Sequence, residues 1–164
     1  MKDLIHTLVN THDCRTALIA RLTLGIVMFV HGSQKLLGWF GGNGLHPTLE
    51  FFTNTLHLHP LVAWLVILGE FLGAIALLTG AFTRLAAAAI GLIMIGAIAM
   101  IHHQYGFFMN WTNQQKGEGY EYHLLALGLA LISLLAGGGK ASVDRCLTSR
   151  LCEEEELESP RYRR

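Results

Sequence analysis

Leu61-Val-Ala-Trp-Leu-Val-Ile-Leu-Gly-Glu70-Phe-Leu-Gly-Ala-Ile-Ala-Leu-Leu-Thr79 is the stretch that decides the fold. It is nineteen residues long and apolar throughout except for one carboxylate, Glu70, at its tenth position. At 1.5 Å per residue, about 20 helical residues cross the hydrocarbon core of a bilayer. The stretch therefore reads as a membrane helix with an ionisable group at its midpoint. An ionised side chain at that depth costs roughly 2.5–3.5 kcal/mol on insertion scales, so it must be partnered, neutralised or used. A second run, Ala17–Leu37, repeats the pattern and carries His31, Gln34 and Lys35. Lys35 and Glu70 are the first candidates for a functional site.

Two further apolar runs, Leu85–Ile101 and Glu121–Gly137, extend the pattern. Of 164 residues, 52% are hydrophobic and 15% charged, well below the soluble average of about 25% charged. The mean hydropathy of +0.41 agrees. The expected fold is all-α, a polytopic membrane protein built as a four-transmembrane-helix bundle. Residues 1–16 form a polar cytoplasmic leader, residues 17–144 the membrane domain, and residues 145–164 a charged cytoplasmic tail of disordered composition. The first run does not read as a cleaved signal peptide: it starts late, carries Arg21 and lacks a small-residue cleavage site.

A formal net charge of zero conceals an asymmetry. All Lys and Arg except Lys35 and Lys116 fall before or at the start of the first run, in the tight turn at Arg84, or after the last run. Positive charge marks the cytoplasmic side, which puts both termini inside. The basic residues are then topology determinants beside a lipid bilayer, and no basic groove for nucleic acid is left. Cys14, Cys146 and Cys152 fall on the same side, where thiols stay reduced, and none forms a C-x-x-C pair, which argues against a dithiol relay.

Helical spacing sorts the faces. His31, Gln34, Lys35 and Gly38 fall at i, i+3, i+4 and i+7, on one stripe. Glu70 shares a face with Ala63, Gly73 and Ala74, and Gly69-Glu-Phe-Leu-Gly73 is a G-x-x-x-G, so Glu70 should point into the bundle. The third run, with Ala86 to Ala89, Gly91, Gly96, Ala97 and Ala99, is expected to be the most tightly packed. The orientation gathers His31 and Lys35, Glu70, His102 and His103, and Glu121 and His123 into a cluster opening outward.

That cluster supports more than one chemistry. Lys35 and Glu70 either form a structural ion pair or serve a ligand or a proton. Trp39, Phe40, Phe107, Phe108 and Trp111 either form an interfacial belt or offer flat apolar surface to an aromatic head group such as a quinone or catechol. No metal centre is expected, because no H-x-x-x-H or E-x-x-H spacing lies on one helix face. Two-histidine haem ligation would need His31 to face His102 or His103. No nucleophile elbow or nucleotide-binding glycine motif stands in the strand-to-helix context it requires.

The chain resembles the DoxX family of small bacterial membrane proteins. The resemblance rests on Arg21-Leu-Thr-Leu-Gly-Ile-Val-Met-Phe-Val-His31-Gly-Ser-Gln-Lys35-Leu-Leu-Gly-Trp-Phe-Gly-Gly-Asn-Gly44, on Glu70 to Arg84, on His102-His-Gln-Tyr-Gly-Phe-Phe108, on Gly119-Tyr-Glu121-Tyr, and on Gly139-Lys-Ala-Ser-Val-Asp144. It implies a multi-pass four-helix protein of the bacterial cytoplasmic (inner) membrane, associated with membrane oxidation systems. The family's recurrent polar residues fall on His31, Lys35, Glu70, Arg84, His102 and Glu121. The resemblance points to His102, whereas the small-residue face of the third run (Gly96, Ala99) is continued by His103. Together these readings imply a quinone-associated oxidoreductase component. Glu70, His31 and Lys35 would carry the chemistry, and His31, Gln34, Lys35, Glu70, His102 and Glu121 would bind the ligand. A quinone would be substrate, and a redox enzyme a protein partner. The alternative is a non-catalytic membrane scaffold that docks such an enzyme.

Overall fold

The computed structural model describes residues 9–11 and 13–158, with side chains described as far as Arg150. Its elements are α1 (Arg15–Leu37), α2 (Leu45–Glu50), α3 (Pro60–Thr79), α4 (Thr83–Ala97), α5 (Glu121–Ala136) and α6 (Val143–Glu158). Wide π-helical turns continue α2 through Phe51–Thr55 and α4 through Ile98–His102, and a 3-10 turn follows at His103–Tyr105. Among the described residues there is no strand. Three helical runs, Arg15–Leu37, Pro60–Thr79 and Thr83–Tyr105, are long and apolar enough to cross a membrane, while the apolar α5 has 16 residues.

The helix ends follow local chemistry. α1 stops at Gly38, whose left-handed backbone (φ 73°) turns its N–H back to the Ser33 carbonyl. Pro60 occupies the first turn of α3, where no amide hydrogen is needed, and the His59 ring accepts the Leu61 N–H. The start of α4 is capped from a distance: the Asp144 carboxylate accepts from Phe82 N at 2.7 Å and Thr83 N at 2.9 Å. A carboxylate at a helix start satisfies orphan donors and opposes the positive end of the helix dipole.

α1 packs on α3, α3 on α4, α4 on α5, and α5 back on α1, closing a ring. Its centre is apolar, built from Leu24, Met28, Ala74, Leu77, Ala86, Ala87, Ile90, Met94, Ala126 and Ala130. The G-x-x-x-G of α3 faces α4, since Gly69 lies against Ile93 and Gly73 against Ile90. The third run is not the most tightly packed. Only 22% of its apolar window is buried, against 44% for α1. Its small residues do not all face neighbours: Gly96 meets open space, Ala99 is exposed, and Leu85, Leu92 and Ile95 point outward.

One end of the ring is locked by arginines. Arg21 is 1% exposed and donates to five carbonyls, those of Leu77 and Leu78 at the end of α3 and of Gly138, Lys140 and Ala141 beyond α5. Arg84 donates to Leu134 O near the end of α5 and to Asn10 O. Both residues therefore close off helix-end carbonyls that no helical N–H can reach. Thr11 joins the lock, accepting from Gly139 N at 2.7 Å.

The charged tail, expected to be disordered from residue 145, continues as helix α6 to Glu158. Its first turns are tethered: Thr148 donates to Val9 O, and Arg145 pairs with Asp13 at 2.5 Å. That hydrogen bond draws the Asp13 carboxyl below its usual pKa. Residues 159–164 of the tail and residues 1–8 and 12 of the leader lie outside the described residues.

Candidate functional site

The opposite end holds the charged cluster. Glu70, on the buried stripe Ala63, Ile67, Glu70, Gly73/Ala74 and Leu77 of α3, is 4% exposed. Its Oε2 accepts from Lys35 Nζ of α1 at 2.5 Å, and the lysine side chain keeps 27% of its surface accessible. The two helices are brought together by Gly32. A Cβ at that position would stand 2.7 Å from Phe71 Cα, so only glycine allows this backbone approach one turn before Lys35. Phe29 and Phe71 stack beside the contact at 5.7 Å.

From the ion pair a line of rings leads to the loop after α4. His31, one turn before Lys35, lies in the electrostatic reach of both Lys35 and Glu70, and its ring sits 5.6 Å from Tyr122 of α5. Tyr122 contacts His123 at 5.2 Å, and His123 contacts His102 at 4.1 Å. His123 is 5% exposed, and its Nδ1 has no hydrogen-bond partner among the described residues. His102 Nδ1 bonds Glu118 O at 2.8 Å. A carbonyl only accepts, so Nδ1 carries the proton and Nε2 keeps its lone pair while the ring is neutral.

The wide turn after α4 selects His102 over His103. The buried residues Ile90 and Met94 would be continued on the same stripe by Ile101 in an uninterrupted α-helix. A π-turn holds one residue more than an α-turn, which delays the phase by one position. His102 takes that place against His123, and His103 is exposed. The face bearing Gly96 and Ala99 points away from the ring's centre, so it gives no guide to the histidine that enters.

Two other candidates hold the surrounding turns. Gln34 Nε2 donates to Phe40 O at 3.2 Å, and Gln34 O accepts from Gly44 N, fixing the glycine turn after α1. Glu121 Oε1 accepts from Met109 N and Trp111 Nε1, each at 2.9 Å, and ties down the loop before α5. The aromatic side chains Trp39, Phe40, Phe107, Phe108 and Trp111 are all exposed. Tyr122 is the cluster member that spacing did not single out. The signal lay beside it, because His123, Ala126, Ala130 and Ser133 form the buried stripe of α5 and Tyr122 is at its edge. Among the described residues, no group of three or more His, Cys, Asp or Glu side chains is placed to hold a metal ion.

The site thus combines a close ion pair, two buried or half-buried imidazoles and a phenol, contributed by three helices, with a third imidazole at the loop. These groups can donate to or accept from the oxygens of a ligand. The chain matches the DoxX family over residues 16–103. It is also 30% identical over 93 residues to "Putative oxidoreductase CatD" of Bacillus subtilis (strain 168), covering 57% of this chain and 64% of that protein. No solved structure matches.

Proposed function

This chain belongs to the DoxX family, and we propose that it is a quinone-associated oxidoreductase component of a bacterial cytoplasmic membrane. In this reading α1, α3, α4 with its extension, and α5 all span the bilayer, both termini face the cytoplasm, and the Lys35–Glu70 cluster lies in the outer half. The observation that carries the reading is the surplus of ionisable groups. An ion pair needs only Lys35 and Glu70, which already meet at 2.5 Å. His31, Tyr122, His123 and His102 add hydrogen-bonding capacity beside it, and His123 Nδ1 is unpartnered among the described residues. The name of the Bacillus relative, an oxidoreductase, supports the reaction class.

The chemistry follows from those groups. Quinone oxygens are acceptors, and quinol hydroxyls are donors. Lys35 and the N–H of a neutral His31 would hold the former, Glu70 or the free ring nitrogen of a histidine the latter. Glu70 would take or return the proton that accompanies a change in ligand charge. The electrons would pass to a partner redox protein. A scaffold role is the competing reading, favoured by how completely Lys35 and Glu70 satisfy each other.

Two measurements test this. Reporter fusions placed after Gly44, Arg84 and Lys116 should report outside, inside and outside; another pattern would remove the cluster from the outer half. Titration of the purified protein with a soluble quinone analogue should give saturable binding, and a His31→Ala, Lys35→Ala variant should lose it. Absent or unchanged binding leaves the scaffold reading.

A further inference from the structure

We propose that Phe107, Phe108 and Trp111 enter the lipid of the outer leaflet, and that the loop carrying them completes the crossing of α5. The inference rests on the reading in which α5 spans the bilayer with Glu121 at its outer end. It requires no ligand at the charged cluster.

The length of α5 calls for such a loop. Its 16 residues rise about 24 Å, against a hydrocarbon core of about 30 Å. The neighbouring run Thr83–Tyr105 has 23 residues and rises about 34 Å. The shortfall lies at the outer end of α5, because the Arg84 guanidinium on the Leu134 carbonyl fixes the level of the inner one. A short span otherwise thins the bilayer at an energetic cost, and apolar surface at the same end removes that need. The loop supplies it there. Glu121 N, at the first residue of α5, donates to Phe107 O at 2.9 Å, and Tyr120 N donates to Gly106 O at 3.2 Å. Glu121 Oε1 accepts from Met109 N and Trp111 Nε1. The aromatic segment is thereby fastened to the end of α5, whose Leu124 and Leu125 below it are also exposed.

Lipid fits this surface better than water does. Phe108 is 65% and Trp111 83% exposed, although the loop that holds them is ordered by its own hydrogen bonds. Asn110 N donates to Glu118 Oε2, Asn110 Nδ2 to Gln115 O, and Gln115 N to Asn110 Oδ1. From Tyr105 to Gln115 the sequence holds no charged side chain. The indole N–H decides the matter. Trp111 gives it to Glu121 at 2.9 Å, so the ring passes into an apolar phase without stranding a donor. The surface is also continuous with the outward leucines of α5, which the same reading places against acyl chains.

The test is tryptophan fluorescence of the full chain in phosphatidylcholine vesicles. The chain has three tryptophans, and Trp39→Phe with Trp64→Phe leaves Trp111 as the single reporter. In vesicles of lipid brominated high on the acyl chain, Trp111 should lose most of its emission, while iodide in the water should quench it little. Strong quenching by iodide with none by brominated lipid would overturn the proposal. Shielding from both quenchers would give the face to protein, a second copy of this chain in the vesicle, and would overturn it as well. A companion protein carries Trp111→Phe and Leu131→Trp on the same background, which puts the reporter on the exposed face in the middle of α5. Quenching of that reporter by lipid brominated deep on the chain, with Trp111 open to iodide, would remove the loop and keep α5 as a span. An unquenched reporter at both positions would remove the spanning reading of α5 and the loop with it.

Discussion

Replacing Arg21 by methionine is expected to destabilise the protein by about 3–5 kcal/mol, the range for breaking a buried charged network. Methionine keeps much of the length and removes every donor. Five carbonyls, from Leu77, Leu78, Gly138, Lys140 and Ala141, then lose a charge-assisted hydrogen bond at the end of α3 and in the loop beyond α5. Bonds of this kind contribute roughly 1.5–3 kcal/mol each before the others readjust, so a large loss is expected even after partial relaxation. Arg21→Lys should recover little, because one ammonium cannot reproduce the planar fork that reaches Gly138 and Leu77 together. Equilibrium unfolding in mild detergent measures both. A methionine variant within about 1 kcal/mol of the parent would show that water replaces the guanidinium at this end.

Lys35→Met is expected to be nearly as damaging, about 3–5 kcal/mol, because it leaves the Glu70 carboxylate buried without its cation. The double variant Lys35→Met, Glu70→Leu should recover most of that stability, since an apolar pair of similar volume often replaces a buried ion pair at little cost. Binding should not recover. If the pair holds the ligand, the double variant is well folded yet blind to the quinone analogue. Unfolding and titration on the same preparations separate the two roles. Retained binding in the double variant would reduce Lys35 and Glu70 to a clasp between α1 and α3.

The charged cluster was legible because the penalty for burying charge leaves a signature in composition. Glu70 at the middle of an apolar run had to face inward, and the spacing of Ala63, Gly73 and Ala74 already marked its buried stripe. Where a helix ends on a local backbone preference, as α1 does at Gly38 and α3 at its start on Pro60, the limits lie close to those of the apolar runs. What spacing could not supply was anything set by long-range hydrogen bonding or by a change of helical pitch. Ile98–His102 contains no proline or glycine, so nothing in it announced a wider turn, and the choice between His102 and His103 depended on that turn alone. Arg21 and Arg84 registered as charges near a membrane face, whereas their carbonyl partners lie between 50 and 120 residues away in the chain. The small residues of the third run misled because glycine and alanine permit close packing without requiring a neighbour.

The apolar centre of the ring separates two very different ends. Between Arg21 and His31, about 15 Å along α1, the interior is filled by Leu24, Met28, Ala74, Leu77, Ile90 and Met94, with the alanines of α4 and α5. That layer is a dielectric septum. An ion crossing it would shed its hydration with no side chain to replace it, at a cost of tens of kcal/mol for an isolated charge. In the proposed reading, protons taken up at the Glu70 end would return to the face they came from, because this layer offers them no group to cross on.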